Sequence, residues 1–171
     1  VLPADLRVES EVQRAFEQAE RHLGPTDVLV NSAGVYHFGE VAKSELEDFD
    51  RVIDTNLNSV FYCCRAVAPH MMERGYGKII NISSNNGTQA FPLVAAYNAS
   101  KAALHMFSLC LAEDLREYNI AVNVLRDEGI NNPAAHIAVI RTLQTVTLLV
   151  KQTVLSTEDI DKIVDFSQQL Q

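Results

Sequence analysis

Residues 78–101 read KIINISSNNGTQAFPLVAAYNASK, and this stretch decides the fold. Lys78-Ile79-Ile80-Asn81-Ile82-Ser83 is a short β-branched run with the length and composition of a buried strand. Ser84 closes it. Thirteen residues on, Tyr97 and Lys101 stand four apart in Tyr97-Asn98-Ala99-Ser100-Lys101. On a helix that spacing sets a phenol and an ammonium one above the other on a single face. A hydroxyl at the carboxyl end of a strand, facing such a helix, is a layout for moving a proton to or from a carbonyl or an alcohol. Tyr and Lys at this spacing recur by chance, as helix-surface or packing residues. The strand-end Ser84 upstream is what makes the pair informative.

Outward from this unit the same alternation repeats. Asp27-Val28-Leu29-Val30 and Ile120-Ala121-Val122-Asn123-Val124-Leu125 are further apolar runs of strand length. Helical periodicity lies between them. Val12, Ala15, Phe16, Ala19 and Leu23 share one face before Gly24-Pro25. Leu46, Phe49, Val52, Ile53, Val60, Phe61 and Cys64 mark a long second helix that Gly75 and Gly77 stop, with Ser44 and Glu47 as its capping box. Ala102, Ala103, Leu104, Phe107, Leu111 and Leu115 continue the Tyr97 helix. Strand–helix–strand order implies parallel strands with right-handed crossovers, so the class is α/β, doubly wound. Val1-Leu2-Pro3 reads as the tail of an earlier strand. Residues 134–155 fit helix or strand equally, and Ser156 with Asp159 caps a last helix carrying Ile160, Ile163 and Val164.

Composition narrows the class of function. With 171 residues and 47% hydrophobic content the chain can bury one sizeable core, most simply as a single domain over 1–171. A net charge of −8 with no basic cluster argues against nucleic acid. There is no apolar stretch of membrane-spanning length and no signal-peptide pattern. Cys63, Cys64 and Cys110 lack metal or redox spacing and read as reduced, half-buried thiols of a cytoplasmic protein. An Asn inside an apolar helical stripe, as in Asp54-Thr55-Asn56-Leu57-Asn58, needs a reason, because it competes for backbone hydrogen bonds. Asn31-Ser32-Ala33-Gly34, after the Val28 strand, is small enough for a sharp turn and close approach by a ligand.

Taken together, Asn31-Ser32-Ala33-Gly34, the helical Asn56, Ser84 and Tyr97-x-x-x-Lys101 resemble the short-chain dehydrogenase/reductase family over residues 1–126. The resemblance implies a Rossmann-like fold and hydride exchange between NAD or NADP and a small alcohol or carbonyl compound. It implies that Tyr97 is the general acid/base, that Lys101 stabilises the phenolate and bonds the ribose, and that Ser84 donates to the substrate oxygen. An isolated phenol, with a pKa of about 10, is otherwise a poor base near neutrality. Asn56 would kink its helix and hold a water of a proton relay, while Asn58 is structural. Asp5 and the backbone at Leu6 match positions that touch the adenine, and Asn31, Ala33 and Gly34 line the cofactor's rear wall. The Asn56 and Tyr97 helices match the usual subunit interface and so imply a homo-oligomer. The loop from Asn85 to Pro92 borders the substrate, with Phe91 either a pocket wall or a cover for the core.

Two departures limit what is expected of the chain by itself. A Thr-Gly-x-x-x-Gly-x-Gly turn, which would cradle the pyrophosphate at a helix N-terminus, is not found among the seven scattered glycines. After Arg126 the family's Pro-Gly and Thr are replaced by Asp127-Glu128-Gly129-Ile130-Asn131-Asn132-Pro133. The expectation is a partial, incomplete NAD(P)-binding domain that lacks its first βαβ segment and final strand, exposes a sheet edge and is inactive alone. A non-catalytic module, associating through its long helices, is the alternative in another functional class.

Overall fold

Three parallel strands form the centre of the molecule: β1 (Val28–Asn31), β2 (Gly77–Ile82) and β3 (Ile120–Leu125), in the order β1-β2-β3. Val28 pairs with Lys78 and Gly77 with Ile120, so the carboxyl ends of all three emerge at one edge. The computed structural model describes residues 2–125 and, as backbone, 137–141 and 146–150. α1 (Glu9–Leu23) precedes β1. α2 (Leu46–Ile53), a π turn (Asp54–Asn58) and α3 (Ser59–Arg74) run on as one rod before β2. α4 (Ala95–Leu115) crosses from β2 to β3. This is the α/β parallel architecture expected from the alternation of apolar runs.

Period-2 burial shows how the sheet is covered. In β2, Gly77, Ile79 and Asn81 are buried while Lys78, Ile80 and Ile82 are only partly so. The buried face meets α3 and α4, with α1 packed on α3. Val12, Val60, Val67, Met71, Ile79, Leu104 and Leu115 are almost fully removed from water there. Burying each such side chain contributes about 1.5–3 kcal/mol. Glu9 of α1 and Arg65 of α3 add an exposed ion pair across the helix contact. α3 stops at Gly75, whose left-handed backbone (φ 64°) lets its N–H reach Met71 O and Met72 O. Gly77 does not end the helix; it is already the first residue of β2.

Other expectations are corrected. Ser44 and Glu47 form no capping box: α2 has Glu45 at its N-cap with no side-chain cap. The helix starts one residue later than expected, and Ser44 instead closes the 3-10 turn Val41–Lys43, its hydroxyl donating to Glu40 O at 2.9 Å. Leu2–Ala4 forms no strand, sharing no ladder with any described strand. Within the ambiguous 134–155 stretch, Ile137–Arg141 and Val146–Val150 are strands, β4 and β5, paired antiparallel. Their β-branched residues favour extended backbone. β5 lies against β1 without joining its sheet. Asp127–Pro133 and the last helix expected from Ser156 and Asp159 lie outside the described residues. No described helix is long and apolar enough to cross a membrane.

Candidate active site

The corner between the end of β2 and the first turns of α4 is held by backbone contacts. Lys101 Nζ donates to Ile82 O at 2.8 Å, and Ser83 Oγ donates to Lys101 O at 3.3 Å. The 3-10 turn Asn85–Gly87 presses on the same helix. A Cβ on Gly87 would sit 2.8 Å from Lys101 O, so only glycine admits this approach. Lys101 is 4% exposed and its ammonium lies 5.6 Å from the centre of the Tyr97 ring. The (i, i+4) geometry read from the sequence is therefore present, with the cation over the ring. Ser84 caps the 3-10 turn by accepting from Asn86 N–H at 3.2 Å. Its own proton points to the side-chain oxygens of Asn85 and Asn86, each at 3.2 Å. Asn86 in turn donates to Asn98 Oδ1 at 2.7 Å, joining the Ser84 turn to the residue after Tyr97.

Asn56 sits in the π turn, the wider turn that joins α2 to α3. It is fully buried, and every polar atom of its side chain is engaged. Nδ2 donates to Val35 O at 2.8 Å and to Ser100 Oγ at 2.9 Å, and Oδ1 accepts from Val35 N–H at 2.8 Å. Ser100 Oγ donates to Tyr97 O at 2.8 Å. One amide thus ties the loop after β1 to the helix that carries Tyr97. Gly34 lies in the same place: a Cβ there would be 3.6 Å from Asn56 Oδ1 and 3.7 Å from Lys101 Nζ. Asn58 only bonds Asp54 Oδ1, at 2.8 Å, on its own turn.

A second buried polar chain was not identified from sequence. Asn31 Nδ2 donates to Asn81 Oδ1 at 2.8 Å, Asn81 Nδ2 to Ser108 Oγ at 2.8 Å, and Ser108 Oγ to Leu104 O at 2.7 Å. It crosses from β1 through β2 to α4 in a region otherwise apolar, and every member finds a partner. An Asn in the middle of the run KIINIS was the available signal. Asn31 is therefore buried in the sheet. Ala33 is partly buried and Gly34 exposed at its carboxyl end. Asp5 is bound to Arg7 through two side-chain contacts of 2.9 and 2.6 Å, which hold its carboxyl down at about 2. Leu6 packs on the core. Phe91 is exposed and does not cover the core. Cys63 and Cys64 are buried rather than half-buried, and burial pushes both thiols up to about 12; Cys110 is exposed.

The sequence profile of the short chain dehydrogenase family matches residues 1–164, well past Arg126. The chain belongs to the short-chain dehydrogenase family. It is 37% identical over 123 residues to the 2,3-dihydro-2,3-dihydroxybenzoate dehydrogenase of Bacillus subtilis, covering 72% of this chain and 47% of that protein. It is 36% identical over 134 residues to the NAD(+)-dependent 2-dehydro-3-deoxy-L-rhamnonate dehydrogenase of a Sphingomonas species, covering 78% and 54%. The gluconate 5-dehydrogenase of Burkholderia cenocepacia, solved with NADP and tartrate, superposes with a TM-score of 0.70 at 36% identity, covering 71% of this chain and 48% of that one. This short-chain dehydrogenase thus spans about half the length of the curated relatives it matches. The family's cofactor is NAD or NADP. Near Tyr97, the exposed Gly34 backbone lies beside the buried Lys101 ammonium, where a side chain on Gly34 would touch Lys101 Nζ at 3.7 Å.

Proposed function

We propose that the protein is an oxidoreductase that interconverts a small alcohol and its carbonyl compound, with Tyr97 as general acid/base. The observation that carries this reading is the buried Lys101 ammonium held 5.6 Å from the Tyr97 ring centre by Ile82 O. That fixed cation beside the ring supports Tyr97 as the group that exchanges a proton with the substrate oxygen. Bound NAD or NADP supplies or accepts the hydride. In the reducing direction the Tyr97 hydroxyl gives its proton to the carbonyl oxygen; in the oxidising direction the phenolate takes it from the alcohol. Ser84 exchanges its bond to an Asn side-chain oxygen for one to the substrate oxygen. Lys101, Tyr97 and Gly34 hold the ribose side, with Asn31 and Ala33 behind it and Asp5 and Leu6 toward the adenine. Both amide hydrogens of Asn56 are committed, so a relay water falls to the backbone carbonyls of the π turn rather than to the side chain.

Two finer assignments accompany this reading. Phe61 on α3 and Met106 and Leu109 on α4 are exposed apolar residues, which supports self-association through the Asn56 and Tyr97 helices. Three free cysteines support a cytoplasmic location. The test of the reaction is label transfer in the natural full-length protein. Reduced NAD and NADP carrying deuterium at the transferable position are incubated with a panel of ketones. Deuterium on the product's carbinol carbon is the expected result. A carbinol formed without label, or no carbinol from any ketone, contradicts the proposal.

A further inference from the structure

Two loops flank Tyr97: residues 35–40, which follow β1 and bring Tyr36 against its ring, and residues 88–94, which lead into α4. They are tied together, since Gly39 N–H donates to Leu93 O at 2.7 Å. The Tyr36 ring meets the Tyr97 ring edge to face, with centroids 6.5 Å apart and planes at 81°. Tyr36 is nevertheless 68% exposed, and Phe38, Phe91 and Leu93 are exposed as well. From Ala33 to Gly39 and from Ser83 to Asn98 the sequence has no Asp, Glu, Lys or Arg. His37 is occupied elsewhere, with Nε2 3.2 Å from Ser44 Oγ and Nδ1 3.4 Å from Asp48 Oδ2 at the start of α2.

Leu93 adds a second, independent sign. Its φ of 65° lies in the left-handed region, which Gly or Asn adopts with less strain than a branched side chain. The side chain kept at that cost is not buried in the core but 40% exposed on the rim. Backbone strain held in place next to reacting groups points to use of the side chain.

We infer that Tyr36 and Leu93 are specificity-determining residues, and that the site takes an uncharged ketone or secondary alcohol bearing an apolar ring or branched substituent. The inference rests on the oxidoreductase reading. An apolar substituent laid across these loops covers exposed carbon on both partners. A carboxylate or phosphate in the same place loses water and meets no cation from either loop.

The experiment is steady-state kinetics of the natural full-length protein with NADH and NADPH, comparing cyclohexanone with 5-ketogluconate. The expected preference in kcat/KM for cyclohexanone is on the order of 10²-fold. Tyr36→Ala and Leu93→Asn should each narrow that preference by about tenfold, the loss falling on KM for cyclohexanone rather than on kcat. Leu93→Asn should also hold or raise the thermal midpoint, since it relieves the backbone; a purely structural Leu93 would lower the midpoint and leave the substrate ratio alone. Preference for 5-ketogluconate by an active wild type, or an unchanged ratio in both variants, overturns the inference while leaving the oxidoreductase reading intact. Turnover of neither substrate, combined with no label transfer to any ketone, overturns both.

Discussion

The corner that holds Tyr97 and Lys101 and the exposed rim of loops beside it are built in opposite ways. In the corner, Asn56, Ser100, Lys101 and Asn81 are all but removed from water, and each spends its polar atoms on backbone or on another buried side chain. On the rim, Tyr36, Phe38, Phe91 and Leu93 expose apolar surface, and one of them holds a strained backbone. In the proposed reaction the rigid polar corner would fix the proton-transferring groups, and the exposed apolar rim would choose the substrate. Substitutions in the two regions should therefore fail differently, the corner losing turnover or stability and the rim losing selectivity.

Lys101→Met offers the largest expected effect. It keeps the buried stem, removes the cation beside Tyr97 and leaves Ile82 O without its partner. Turnover of the full-length enzyme should fall by on the order of 10²-fold or more; a variant within a few fold of wild type would break the corner's electrostatic role. Asn81→Leu attacks the other polar chain. It takes the Asn81 oxygen from the Asn31 amide and the donor from the Ser108 oxygen in an apolar region, and should cost about 2–4 kcal/mol, read as a lower urea midpoint. Gly87→Ala places a methyl 2.8 Å from Lys101 O and should cost about 1–3 kcal/mol, because backbone on both sides must move. Asn58→Ala removes only a part-buried intra-turn bond to Asp54 and should change stability by no more than about 1 kcal/mol. A large loss there would mean that the π turn, rather than Asn56, holds the corner.

What was legible in the sequence follows the same division. Strands and helices were readable because β1, β2 and β3 are short β-branched runs, α1 and α2 carry strong 3.6-residue periodicity, and α3 and α4 are long apolar stretches free of internal glycine. Tyr97 and Lys101 were readable because their relation is local, four residues along one helix. The Asn31–Asn81–Ser108 chain was not, since its members lie 50 and 27 residues apart and meet only when β1, β2 and α4 come together. Ser44 misled for a physical reason: a hydroxyl next to a helix start can cap it or close the turn before it, and here the helix begins one residue later, with Glu45 at the N-cap. Tyr36 and Leu93 gave no sequence signal, because exposure and a positive φ are properties of the folded loop. Residues 134–155 defeated periodicity, as short apolar runs fit both classes.

The central claim is that Tyr97 moves the proton while its neighbour Tyr36 only shapes the site. Tyr97→Phe and Tyr36→Phe, made side by side in the full-length enzyme, test it most directly, since each removes one hydroxyl and keeps one ring. The account predicts a loss in kcat on the order of 10²-fold or more for Tyr97→Phe and less than about threefold for Tyr36→Phe. Near-wild-type turnover by Tyr97→Phe, or equal losses in the two variants, would contradict it.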